Sequence, residues 1–299
     1  MNPTFLRAAA IALSVAVWQS GQACALELVD ASGKLTAAAD TSRILSIGSD
    51  TTEILYALGL GDKIVAVDTT SQFPAAARAK PNVGYMRALA TEGVLSTGAT
   101  LILAGAQAGP PDVVRALKSS PVSYVALPDN ERAETVSDKI RLVGRVVGAE
   151  AKANDLAGKV DAGFADLASA RAKIAKPARA IFVLNVTGGR AMIGGRGSGA
   201  DLMLKLAGAE NAAAAIHGYK PLSAEALLEL APDVVVTMTH SSAEDIAAKV
   251  SEIPTFGATP AGKTKHVITM DGVYLLGFGP RTPDAARELM QKIYSKQPG

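Results

Sequence analysis

The chain has 299 residues, 48% of them hydrophobic and 19% charged, with a single cysteine. That is enough apolar side chain for one large core or two medium ones, which excludes a disordered chain and a disulfide-stapled miniprotein. Thirty Lys and Arg against 28 Asp and Glu leave a formal charge of +2 with no long block of one sign, so a nucleic-acid groove has no electrostatic support.

The first segment sets the compartment. Arg7 precedes an apolar stretch from Ala8 to Val17, and small and polar residues then lead to Ala23, Cys24 and Ala25, an A-x-A cleavage site. We therefore expect a signal peptide over residues 1–25 and a periplasmic mature chain. Gly21, Gln22 and Ala23 lack the large aliphatic residue that precedes a lipidated cysteine, so cleavage is expected over lipidation at Cys24. Cleavage removes the only Cys and, at Trp18, the only Trp. Beyond residue 30 no apolar run reaches the roughly 20 residues that cross a bilayer.

Short β-rich runs then alternate with helical spacing. Strands are expected over 43–47, 64–67, 100–103 and 122–125, with helices over 51–60 and 90–96. The pattern returns as strands over 180–184, 234–237 and 266–269, with helices over 201–206 and 224–230. Such alternation implies parallel sheets built from βα units. Between the halves, residues 131–175 carry apolar side chains at Val136, Ile140, Val143 and Val147, then at Leu156, Val160, Phe164 and Leu167. Steps of three and four predict one long helix or two collinear ones, weakest at Gly144 and Gly148. The expected fold is α/β, two Rossmann-like lobes (26–130 and 176–299) with mainly parallel sheets, joined by a long interdomain helix, with a ligand cleft between them.

The lobes echo each other. Leu89–Ala104 and Leu222–Thr237 share a helix followed by a strand at an offset of 133 residues, an internal duplication. Glu92 and Glu225 fall in the first turns of these helices behind Ser or Thr, which suits capping and the helix dipole. Ligands of open α/β sheets sit beyond the carboxyl ends of the strands. Glycine pairs at 188–189 and the run 194–199 complete no phosphate-loop or dinucleotide pattern and read as turns. No nucleophile has a visible base, so no enzyme is expected.

Four segments, Ile47–Gly61, Pro81–Leu95, Gly218–Leu227 and Leu275–Pro283, resemble the haem-binding periplasmic proteins of bacterial ABC-type importers, in the wider family that also holds vitamin B12 and ferric-siderophore binders. The resemblance covers about residues 40–295, and Gly84-Tyr85-Met86-Arg87 is its haem-associated part. It implies capture of ferric haem and delivery to an inner-membrane ABC permease with its ATPase, by a monomer. It also implies that Tyr85 supplies a phenolate to the iron, an axial ligand type known for haem. A phenol ordinarily ionises near pH 10, so ligation at neutral pH calls on the iron and on a nearby cation, for which Arg87 is the candidate.

On the other lobe, the duplication places His240 where Gln107 stands in the first, as a sixth iron ligand, a haem-propionate partner or a hydrogen-bonded loop histidine. Tyr219 is expected to line the cleft, and Arg281 to pair with a propionate or cap the final helix. His266, at a strand start, reads as ordinary. Some relatives carry a cleft histidine where this chain has residues 185–189, so a second ligand from that place is not expected. Glu53 and, more weakly, Asp201 are the expected permease-docking carboxylates. The rival readings are a binder of the same fold for a siderophore or corrinoid, and a periplasmic haem-modifying enzyme.

Overall fold

Strands of a parallel sheet are covered on both faces and so read as unbroken apolar runs. In a computed structural model, which describes residues 27–29, 33, 35–37, 40–130, 132–239 and 245–295, those runs are the sheet centres. The signal-peptide reading and His240 fall outside the described residues. Glu27–Val29 (β1) and Leu35–Ala37 (β2) form an antiparallel pair. The first lobe follows as β3 (Ile44–Ile47), α1 (Ser49–Ala57), β4 (Ile64–Val67), α2 (Thr91–Leu95), β5 (Leu101–Ala104), α3 (Pro111–Lys118) and β6 (Ser123–Ala126). Its four strands are all parallel in the order β4-β3-β5-β6.

The linking segment differs from the expected straight rod. α4 (Glu134–Val147) ends at Gly148, whose left-handed φ of 69° needs no Cβ, and α5 (Glu150–Arg171) runs back along it. The antiparallel packing is visible in Arg141, which donates to Asp161 at 2.6 Å, and in Ser137, bonded to the same carboxylate. A Cβ on Gly144 would lie 2.2 Å from that of Ala153, so the helices touch backbone to side chain there. α4 thus belongs to the first lobe, and α5 alone spans onward. Its 22 residues reach about 33 Å. At its far half Gly163 meets Pro283, and Arg171 donates to the Lys205 carbonyl at 3.3 Å.

The second lobe comprises β7 (Arg179–Thr187), β8 (Arg190–Gly194), α6 (Gly199–Leu206), β9 (Glu210–Asn211), β10 (Tyr219–Leu222), α7 (Ala224–Leu230), β11 (Val234–Thr239), α8 (Ile246–Ser251), α9 (Pro260–Thr264), β12 (Val267–Asp271), α10 (Gly272–Leu276) and α11 (Thr282–Tyr294). The order is β10-β8-β7-β11-β12, with β9 beside β7; β8 and β10 are antiparallel additions to a parallel centre.

Strand alternation divides the core. In β3, Ile44 faces α4 and α5 while Leu45 and Ile47 face the other side; in β7, Phe182 faces the linking helices while Ile181 and Val183 face away. The side turned to the linking helices is one continuous apolar cluster, from Ile54 through Ile140 and Val160 to Met203 and Leu289. The lobes therefore share a core through α5, which resists wide separation because opening would expose apolar surface at roughly 25 cal/mol per Å².

Candidate functional site

The cleft lies where the carboxyl ends of the two sheets face each other, and buried polar groups shape its first-lobe wall. Asp68, fully buried after β4, accepts from Gly48 N and Thr70 N (both 2.9 Å), Thr70 Oγ1 (2.8 Å) and Ser71 Oγ (2.9 Å). Residues 81–84 then run beside the strand: Val67 N donates to Pro81 O and Val83 N to Val67 O, both at 2.9 Å. Gly84 turns the chain with φ 93°, and its N–H is held by Asn82 Oδ1 at 2.7 Å. Next, Ala88 N donates to Tyr85 O (2.8 Å), while Gly109 N donates to Met86 O and Leu89 N to Gly109 O (both 2.9 Å).

The Tyr85 loop is thus pinned by backbone bonds on both sides, and its ring is left 45% exposed. Arg87 is tied elsewhere: its guanidinium donates to Gln107 Oε1, and Gln107 Nε2 donates to Asp129 Oδ1 at 3.4 Å. This chain of contacts aims Arg87 along the β5/β6 side.

Across the cleft, Tyr219 sits in β10 opposite Gly194 of β8. Burial pushes its phenol above the usual value, while the Ala200 N–H, the Ser198 hydroxyl and the Arg87 charge act the other way. The Arg87 charge acts on Tyr219 although the two residues belong to different lobes.

Three expected site residues are placed differently. Arg281, which stands at the N-cap of α11, is paired within the protein. Its Nε and Nη2 donate to Glu53 Oε2 at 3.0 and 2.8 Å, and its backbone N–H donates to Oε1 at 3.0 Å. The guanidinium lies 3.5 Å over the Phe73 ring and 5.1 Å from that of Tyr274. Glu53 is correspondingly only 6% exposed, which corrects its reading as a rim carboxylate for docking. Asp201 is corrected likewise: it is 3% exposed and takes Gly197 N (3.2 Å), Lys205 Nζ (2.7 Å) and Asn211 Nδ2 (2.9 Å). Burial raises its pKa, and the Lys205, Asn211 and Gly197 bonds outweigh that and hold it below the carboxylate range.

The duplicated pair Glu92 and Glu225 is exposed instead. Ser223 caps α7, accepting from Ala226 N at 3.3 Å, but α2 begins after Ala90 without a side-chain cap. The expected serine or threonine cap is therefore present at α7 and not at α2. His266 Nε2 lies 3.2 Å from the Lys292 carbonyl.

Sequence reading missed Phe73, Tyr274 and Gln72, which with Arg78, Asp271, Val273 and Arg281 line a cavity of about 310 Å³ between the lobes. It also missed Lys139. The available signal was a lysine beside the apolar stripe of α4; in the structure it is fully buried, paired with Asp50.

The profile of the periplasmic binding protein family matches residues 44–274. Among solved structures, the periplasmic haem-binding protein BhuT with two haems is 37% identical with a TM-score of 0.79, over 84% of this chain and 97% of that one. Apo RhuT, a periplasmic haem-binding protein from Roseiflexus sp. RS-1, is 32% identical with a TM-score of 0.80, over 85% and 98%. An uncharacterised ABC transporter substrate-binding lipoprotein, YvrC of Bacillus subtilis, is 28% identical over 89% of this chain and 84% of its own. With two α/β lobes around a cleft and this family match, the chain belongs to the periplasmic binding protein family and is a substrate-binding protein of an ABC transporter, not an enzyme.

Proposed function

We propose that this protein works outside the cytoplasmic membrane, captures ferric haem between its lobes and delivers it to an ABC permease for haem and iron uptake. The observation that carries the reading is Tyr85, an exposed phenol on a loop pinned by backbone bonds, in a chain similar to two haem-binding proteins at 32–37% identity. Tyr85 is the proposed iron ligand, and Tyr219 lines the facing wall. Arg87 acts from the side, where Gln107 holds it. Haem brings four iron ligands of its own, so one phenolate completes an axial position without a protein-built metal cluster. Hemin added to the purified protein should give a tyrosinate-type charge-transfer band with saturable binding; cobalamin or a ferric siderophore binding in its place would select the rival ligand.

For the permease, the exposed Glu92 and Glu225 are the proposed docking carboxylates. The helices that carry them run antiparallel to the parallel strands, which puts both at the cleft ends of their lobes. Opposite charge on the permease would steer docking and fix orientation. Glu92→Lys combined with Glu225→Lys should keep hemin binding and lose transporter ATPase stimulation, most clearly at low salt. Stimulation at the parent rate would remove this assignment.

A further inference from the structure

Two acidic side chains one turn apart on α1 reach across to different parts of the molecule. Asp50 takes the Lys139 ammonium from α4, and Lys139 in turn donates to Asn130 Oδ1 at 2.6 Å and to the Phe278 carbonyl of the second lobe at 3.2 Å. Glu53 takes three bonds from Arg281. Phe278 and Arg281 belong to the loop between α10 and α11. That loop is held in shape by Phe278, at φ 51°, and by Thr282, which bonds Gly279 O through N (3.0 Å) and Oγ1 (2.6 Å).

The contact is close enough that a Cβ on Gly279 would lie 3.0 Å from Glu53 Cδ. Phe73 of the first lobe and Tyr274 of the second flank the Arg281 guanidinium. Phe73 follows the edge strand β4 and Tyr274 the edge strand β12, and with Arg281 they line the interlobe cavity.

We infer that Glu53 and Arg281, with Phe73 and Tyr274 as side walls, form a cross-lobe clasp that sets the width of the cleft and thereby the rate of ligand exchange. Glu53 and Arg281 are positioning residues acting through lobe spacing. The Lys139–Asp50 joint lies beneath the clasp and holds α1, α4 and the loop of the second lobe in one block. A stacked Arg281 guanidinium that gives two N–H bonds to Glu53 Oε2 while its own backbone N–H takes Oε1 is narrowly restricted in geometry, so the pair favours one interlobe distance. Moving the lobes apart must break all three of its bonds together. The clasped population therefore exchanges ligand only as fast as the pair opens.

The distance part of this inference is independent of the ligand; the exchange part rests on the haem reading. The test uses the full protein in a Cys24→Ser background, spin-labelled at Ser96→Cys on the first lobe and Glu229→Cys on the second. Without ligand, double electron–electron resonance should give one narrow distance distribution. Glu53→Gln, which keeps the side-chain shape and an acceptor for the Arg281 N–H, should broaden it toward longer distances. Arg281→Ala should broaden it further, and Arg281→Lys, keeping charge without the fork, should fall between.

Hemin dissociation and association should both accelerate at least threefold in Glu53→Gln, with an unchanged charge-transfer band. Distributions identical to the parent in Glu53→Gln and Arg281→Ala overturn the clasp. Broadened distances with parent exchange rates overturn its control of exchange. If the parent binds no hemin the haem reading fails, and the distance measurement still decides the clasp. Should Arg281→Ala not fold, Glu53→Gln and Arg281→Lys decide alone.

Discussion

Tyr85→Phe should abolish the tyrosinate charge-transfer band and weaken hemin binding by more than the about 10–100-fold typical of losing an outer partner of a metal ligand, because here the iron–oxygen bond itself goes. The substitution isolates that bond. The loop is held by backbone groups of Thr69, Gly84, Met86 and Gly109, none of which uses the phenol. Among the described residues the hydroxyl makes no hydrogen bond, and the ring is 45% exposed, so stability should change by less than about 0.5 kcal/mol. A spectrum and affinity equal to the parent would remove Tyr85 as the ligand, whatever else binds haem. Tyr219→Phe serves as the contrast. Tyr219 is proposed to line the facing wall and not to bind the iron, so this change should leave the band in place.

Lys139→Met is expected to cause the largest loss of stability, about 3–5 kcal/mol, the cost of leaving a buried charge without its partner. Lys139 is fully buried, and the Asp50 side chain that it neutralises is only 11% exposed. Removing the ammonium strands that carboxylate, along with Asn130 Oδ1 and the Phe278 carbonyl, where the first lobe, α4 and the second lobe meet. Equilibrium urea unfolding measures the loss as a fall in midpoint at constant slope. The discriminating control is Lys139→Met with Asp50→Asn, which removes both charges and should recover a large part of the loss, since neutral replacement of a buried pair is often tolerated. If the single variant loses less than about 1 kcal/mol, the pair behaves as a solvated surface bridge and the joint between the lobes is held by apolar packing alone.

The sequence by itself determined the sheet centres. Strands buried on both faces had to be continuous apolar runs, and each expected centre overlaps the observed strand, from an exact match at Ile64–Val67 to edges shifted by up to three residues, as 180–184 against Arg179–Thr187. Tyr85 was singled out through the resemblance of Gly84-Tyr85-Met86-Arg87 to haem-binding proteins and not through its own spacing. The strands β8 and β10 were not legible. Neither is an unbroken buried apolar run, and β10 carries Pro221, which an edge strand tolerates but which erases a strand signal.

Only the tertiary structure decided the course of the linking segment, since a helical stripe carries no direction and one glycine at positive φ reverses it at Gly148. It alone also decided what the carboxylates do. Glu53 and Asp201 read as surface charges, because a charge looks solvated until its partner is known. The partner of Glu53 lies 228 positions away, and that of Asp201 is completed by Asn211 from a separate strand. Charged side chains enter a core only when paired. Sequence spacing records a pairing within a helix turn, as for Lys205 and Asp201, but not one that the meeting of two lobes creates.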